Sequence, residues 1–206
     1  METINIINIA IASGLTIVAY LLGSIASAIL VCKLFGLSDP RAGGSGNPGA
    51  TNVMRLHGKK AAILTLAGDV LKGVIPVLFA KALNSTDLVI ALCGLAAFFG
   101  HLFPVFFNFK GGKGVATLIG VLFATHWLLG FAYIGTWGIT ALLFRYSSLS
   151  ALVAAVLTPV YSWLILQNIS FTLCHVAMVS ILVWRHRSNI KSLIAGTESK
   201  IGQKKS

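Results

Sequence analysis

The stretch that starts at Gly44 reads GSGNPGATN. Gly44, Gly46 and Gly49 stand at G-x-G-x-x-G spacing, which between a β-strand and a helix would be a dinucleotide loop. No strand pattern precedes them, and Asp69, at the distance of a ribose-binding acid, sits inside an apolar run. The dinucleotide reading fails, and a simpler chemistry is left: glycines let backbone N–H groups approach an anion. Ser45, Asn47, Thr51 and Asn52 add side-chain donors, and Arg55 adds a planar fork suited to phosphate. A second stretch, GHLFPVFFNFKGGKGVAT (100–117), runs from His101 to Thr117 and sets Lys110 and Lys113 around Gly111, Gly112 and Gly114. A helix is predicted to begin directly after it, and helix N-termini attract anions. The stretch is not a Walker loop, because G-x-x-x-x-G-K-[ST] is absent. A third stretch, WRHRSNIKSLIAGTESK (184–200), puts His186 and Asn189 three residues apart, on one helix face, with Arg185 and Lys191 near them.

The elements that must carry these stretches are membrane helices. The chain has 206 residues, 56% hydrophobic and only 10% charged, against about 25% charged in a soluble domain. The expected fold class is all-α, a polytopic helix bundle forming one domain over 1–206. Spans are predicted at 4–32, 61–82, 87–107, 114–127, 130–145, 149–167 and 170–184. The fourth and fifth are short, so seven spans is the expectation and five the alternative. The N-terminal run carries Glu2 and no early Lys or Arg, and is read as a first membrane helix, not a cleavable signal.

With the N-terminus outside, fourteen of the sixteen Lys and Arg fall on the inner side, Lys204 and Lys205 included. All three motif stretches fall there too, and the C-terminus is cytoplasmic. The net charge of +11 favours anionic headgroups or anionic substrates as partners over nucleic acid. Cys32, Cys93 and Cys174 stand singly, and no cluster has metal-ligand spacing, so neither metal nor cofactor is expected and activity should survive EDTA.

Asp69 and Lys72 are the deep charges. They are i, i+3 in the second span, roughly 15 Å from its inner end at 1.5 Å per residue. A lone charge there costs roughly 2.5–3.5 kcal/mol on insertion scales, so the two are predicted to pair and face the bundle interior. His57, His126 and His175 have no partner constellation and are read as packing histidines. The pairs Gly23/Ser27 and Ser24/Ala28 have the spacing of close helix packing.

Taken together, SGNPGATNVMR, GHLFPVFFNFKGGKGVAT and RHRSNIKSLIAGTESK resemble the three cytoplasmic motifs of the bacterial membrane acyltransferase family that acylates glycerol 3-phosphate from acyl phosphate. The resemblance covers nearly the whole chain, in order and spacing. It implies transfer of an acyl group from acyl phosphate to the 1-position of sn-glycerol 3-phosphate. The products are lysophosphatidate and phosphate, and the step is the first acylation of phospholipid synthesis at the inner membrane. It implies that Ser45 and Arg55 are needed for activity, that Lys110 to Gly114 form the glycerol 3-phosphate loop, that His186 and Asn189 matter, and that Glu198 is mainly structural. It also implies functional coupling to an enzyme that makes acyl phosphate.

The residues agree with this chemistry. Both substrates carry phosphate, and a site at the inner surface would hold two phosphates among Arg and Lys while an acyl chain lies between helices. The H-x-x-x-x-D motif of other acyltransferases is absent. Ser45 is read as a hydrogen-bond donor in preference to an acyl-enzyme nucleophile, since no His or Lys adjoins it in its motif. His186, His101 or the departing acyl phosphate itself is expected to take the proton of the attacking hydroxyl. The competing readings are an anion transporter, for which no repeat and only Asp69 and Lys72 at depth speak, and a lipid-binding scaffold.

Overall fold

The computed structural model describes residues 2–203, with side chains from Ile6 onward. Lys204 and Lys205, counted above on the inner side, lie outside the described residues, as does the side chain of Glu2. Among the described residues there are ten α-helices and no strand. Contacts divide the chain into two compact units, up to Thr125 and from His126, and each is described by itself.

The first unit contains α1 (Glu2–Gly23), α2 (Ser27–Leu34), α3 (Ala50–His57), α4 (Lys59–Ala82), α5 (Asp87–Leu102) and α6 (Val115–Thr125). Two crossings hold it together, and both depend on glycine. Helix α1 packs on α5, and α4 on α6. A Cβ added at Gly23 would overlap the backbone of Ala97, and one at Gly100 would overlap the carbonyl of Tyr20. In the second crossing Gly73 abuts the backbone of Thr117, and Gly120 that of Val70. Hydrocarbon solvent gives apolar side chains no reason to leave it, so helices in a membrane gain by bringing their backbones close, and small residues permit that. At the far end of α4, Lys81 Nζ donates to the carbonyl of Thr125 at 2.6 Å, which satisfies the C-terminal end of α6.

The expected first span, 4–32, is two helices. The chain breaks at 24–26, where Ser24 Oγ donates back to Tyr20 O at 2.9 Å. Side-chain hydroxyls that bond the preceding turn bend helices. Lys72 Nζ reaches this break and donates to the carbonyl of Ile25 at 2.8 Å, so a carbonyl freed from the helix ladder is not left bare.

The second unit contains α7 (Trp127–Phe144), α8 (Ser147–Leu166), α9 (Ile169–Arg185) and α10 (Arg187–Ile194). Polar contacts between its helices include Thr136 Oγ1 with Tyr161 Oη at 2.8 Å, Tyr133 Oη on Ala151 O at 3.3 Å, and His175 Nδ1 with Ser162 Oγ at 2.9 Å. His126 caps α7, accepting from Leu128 N. The outer faces are apolar, with Leu142 and Leu164 well exposed, as lipid-facing residues are.

Five helices are long and apolar enough to cross a membrane among the described residues, α1, α4, α5 with its extension to Phe107, α7 and α8. Helix α9 makes a sixth if it is counted with α10, to which it is joined through a bend of 57°. Helix α6 has 11 residues, or about 17 Å, shorter than the hydrocarbon core of about 30 Å. Of the two spans expected to be short, α7 is full length and α6 is not; the described residues thus give the alternative count of five, or six with the bent pair, and not the expected seven.

The glycine crossings generate a stability prediction. Gly73→Leu and Gly120→Leu should each cost about 1–3 kcal/mol by overpacking, read as an earlier thermal transition in detergent. Gly135→Leu, where no atom lies within 4 Å of an added Cβ, should leave the transition within a degree or so.

Candidate active site

The first motif is a loop wrapped around one asparagine. Asp39 caps the 3-10 turn Pro40–Ala42 by accepting from Arg41 N at 2.9 Å, and it grips the Arg41 guanidinium at 2.7–3.1 Å. These hydrogen bonds hold the Asp39 carboxyl below its ordinary range, outweighing partial burial. Gly44 and Gly46 then turn the chain with φ of +61° and +68°, which L side chains rarely adopt. Inside the turn lies Asn52, buried on α3. Its Nδ2 donates to Pro40 O (2.8 Å) and Gly43 O (3.1 Å), and its Oδ1 accepts from Ser45 N (2.9 Å). Asn52, expected to donate to substrate, is thus spent on the loop backbone. Ser45, Gly46, Thr51 and Arg55 are exposed, and Asn47 and Gly49 half-buried, with Gly49 at the N-cap of α3.

The second motif folds back on the end of α5. Left-handed Asn108 and Phe109 reverse the chain after the 3-10 turn Val105–Phe107. Gly112 N then donates to His101 O at 3.2 Å. Gly111 and Gly112 are buried, Lys110 is exposed and Lys113 half-buried. A Cβ at Gly111 would overlap the carbonyl of His101, and one at Gly112 would overlap the His101 ring at Nε2. Gly114, at φ +91°, hands the chain to α6, whose first turn closes with Leu118 N on Gly114 O at 2.8 Å. The turn therefore delivers two lysines to the start of a helix. Thr117, also expected at substrate, is fully buried and donates to Asp69 O at 3.0 Å.

Beneath this turn are the deep charges. Asp69 Oδ1 lies 2.9 Å from Lys72 Nζ and 3.5 Å from His101 Nδ1, with all three side chains at most 6% exposed. The pairing of Asp69 with Lys72 follows from their spacing on α4, but nothing in the sequence places His101, 32 positions further on, against the same carboxylate.

The third motif belongs to the second unit. His186 is buried at the junction of α9 and α10, and its Nδ1 lies 2.8 Å from Leu182 O. A carbonyl only accepts, so Nδ1 carries the proton and Nε2 is the basic nitrogen of the neutral ring. The chain bends by 57° at His186, where Leu182 O accepts from both the backbone N–H and the imidazole of His186; His186 is the N-cap of α10, and Asn189 lies in its first turn. Asn189 Nδ2 donates to Glu198 Oε1 at 2.8 Å, and Ser148 Oγ donates to the same oxygen at 2.5 Å. Ser148 is a site-associated residue that the motifs do not contain. Its signal would have been a serine-rich start to α8 beside Arg145. Arg145 in turn binds the tail, exchanging backbone and side-chain bonds with Ile201.

This geometry gives Glu198 a defined job. Glu198→Ala should remove two hydrogen bonds to a carboxylate, worth about 1.5–3 kcal/mol each at most, and lower the thermal midpoint by roughly 3–10 °C. Glu198→Gln, whose amide oxygen accepts both, should lose less than half as much, as measured by thermal unfolding and by amide exchange across α10.

Comparison with known proteins agrees with the motifs. The family model described as glycerol-3-phosphate acyltransferase matches residues 13–196. The chain is similar to the glycerol-3-phosphate acyltransferase of Thioalkalivibrio sulfidiphilus, 54% identical over 194 residues, covering 94% of this chain and 96% of that one. It is equally similar to that of Methylococcus capsulatus, 54% identical over 187 residues, covering 91% and 94%. Among solved structures it resembles PlsY (YgiH), an integral membrane glycerol 3-phosphate acyltransferase. The glycerol 3-phosphate form of that protein superposes with a TM-score of 0.88 at 40% identity, covering 93% of this chain and 96% of that one. Its lysophosphatidic acid form gives 0.86 at 39% identity, covering 93% and 95%. On motifs, fold and similarity alike, this chain belongs to the glycerol-3-phosphate acyltransferase family of integral membrane enzymes.

Proposed function

We propose that this acyltransferase takes its acyl group from acyl phosphate and places it on the 1-hydroxyl of sn-glycerol 3-phosphate, releasing lysophosphatidate and inorganic phosphate. The reading includes seven spans, with α6 and α9 counted, an outside N-terminus and a cytoplasmic C-terminus. It treats 1–206 as one catalytic domain of the bacterial inner membrane, working on its cytoplasmic face and fed by an enzyme that makes acyl phosphate.

The observation that carries it is the turn at 110–114, where Lys110 and Lys113 flank buried glycines at the start of α6. Cationic side chains and a helix N-terminus together suit a dianionic phosphate. We assign glycerol 3-phosphate to that turn. Ser45, Arg55, Lys113, His186 and Asn189 carry the reaction, with Gly46, Asn47, Gly49 and Thr51 lining the first loop. In the reaction the glycerol 1-oxygen attacks the acyl carbonyl carbon, the carbon–oxygen bond to phosphate breaks, and phosphate departs with that electron pair. Because phosphate leaves readily, positioning and charge stabilisation supply most of the acceleration. Arg55 and the lysines offset the charge of the two anions. The hydroxyl proton goes to His186 Nε2 or to the departing phosphate. Asp39 and Glu198 are poorly suited to take it, being engaged with Arg41 and with Asn189 and Ser148.

Two measurements test this. Purified protein should release phosphate from acyl phosphate only when glycerol 3-phosphate is present, and acyl-CoA should support less than about a hundredth of that rate. Release without glycerol 3-phosphate, or equal use of acyl-CoA, contradicts the proposed donor. Separately, His186→Gln should lower turnover by about a hundredfold if that histidine is the base. Turnover within tenfold of the parent assigns the proton to the phosphate.

A further inference from the structure

The geometry points to Asp69 as a positioning residue that sets the second-motif turn from inside the membrane. Lys72 alone neutralises Asp69 at 2.9 Å, and an isolated pair on one helix would require nothing from α5. Yet the same carboxylate oxygen that faces Lys72 also faces His101 Nδ1 at 3.5 Å. The contact is electrostatic at that distance, and a carboxylate there favours the tautomer with the proton on Nδ1 and the ring orientation that faces it.

The opposite edge of that ring, at Nε2, is the surface against which Gly112 rests, so closely that a methyl group there would overlap it. The backbone of His101 meets the turn as well, through Gly112 N on His101 O. Asp69 also reaches the turn from its other side, since its own carbonyl accepts from Thr117 in the first part of α6. Residue 69 therefore touches both limbs, one through the His101 ring under Gly112 and one through Thr117 beyond Gly114. Lys72 completes the frame by tying the same pair to Ile25 at the α1–α2 break. Rotation of the ring by even a fraction of an ångström at Nε2 moves Gly112, and with it the lysines on either side. A misplacement of about 1 Å at a reacting group can cost roughly a hundredfold in rate.

That the ligand of this turn is glycerol 3-phosphate rests on the proposed function above; that Asp69 sets the turn does not. The two are separated by steady-state kinetics on the full-length enzyme in lipid nanodiscs, with both substrates varied and thermal midpoints recorded. For Asp69→Asn the expected result is a KM for glycerol 3-phosphate raised about tenfold or more, with the KM for acyl phosphate within about twofold. A rise in the acyl phosphate KM instead supports the positioning role and overturns the assignment of the turn. A lowered thermal midpoint with both KM values within twofold overturns the positioning role.

A second pair of variants leaves the carboxylate in place and decides the matter if Asp69→Asn does not fold. Gly112→Ala should raise the same KM, because its methyl meets the ring. Adding His101→Asn retains a donor toward Asp69 and removes the Nε2 edge, so the double variant should recover at least about threefold of that loss. Independent effects multiply, and a double variant worse than Gly112→Ala overturns the proposal.

Discussion

A carboxylate inside an apolar bundle is the constraint from which most of the first unit follows. Asp69 cannot remain there alone, since an unpaired charge at that depth is costly and an unpaired polar group in hydrocarbon has no water to turn to. Lys72 answers the charge, but an ammonium has three donors and a carboxylate has several acceptor positions. Lys72 also donates to Ile25 O, and the carboxylate faces the His101 ring at 3.5 Å. Each of these is a place where the helical ladder stops: a break between α1 and α2, and the last turn of α5. One ion pair thus fixes the rotation of α4 and anchors the irregular backbone at two sites. The glycines at 73 and 120 allow α6 close enough for Thr117 to join it.

Three of the acidic side chains share a pattern. Asp39 holds Arg41 and caps its turn, Asp69 holds Lys72 and faces His101, and Glu198 holds Asn189 and Ser148. In each unit a carboxylate secures a cation, an imidazole or an amide of a motif. With these carboxylates so engaged, the basic groups left to the proposed reaction are an imidazole nitrogen and the phosphate oxygens of its proposed substrates. This suits a reaction whose leaving group needs little help. A site of this kind works by arranging anions, and its rate depends on how rigidly the arranging groups are held.

Much of this was readable in the sequence. The low charge content and long apolar runs gave an all-helical membrane bundle. The i, i+3 spacing of Asp69 and Lys72 anticipated their ion pair, and Gly23 anticipated a close helix crossing. Three kinds of feature were not readable. Bends inside apolar runs were not, because a side chain that bonds the previous turn, as those of Ser24 and His186 do, bends a helix without changing its hydrophobic pattern. The roles of Asn52 and Thr117 were not, because a donor beside a glycine loop looks alike whether it faces an anion or the loop's own carbonyls. The partners His101 and Ser148 were not, since each meets its carboxylate across a long sequence separation that only packing determines.

The proposed seat of glycerol 3-phosphate is the turn at Lys110–Gly114. Lysine footprinting tests it directly: the enzyme in nanodiscs is treated with an amine-acylating reagent with and without glycerol 3-phosphate, and modification of each lysine is counted by mass spectrometry. Lys110 and Lys113 should be protected as glycerol 3-phosphate saturates, while Lys59 and Lys60 react unchanged. Equal reaction of Lys110 and Lys113 at saturating glycerol 3-phosphate would contradict it.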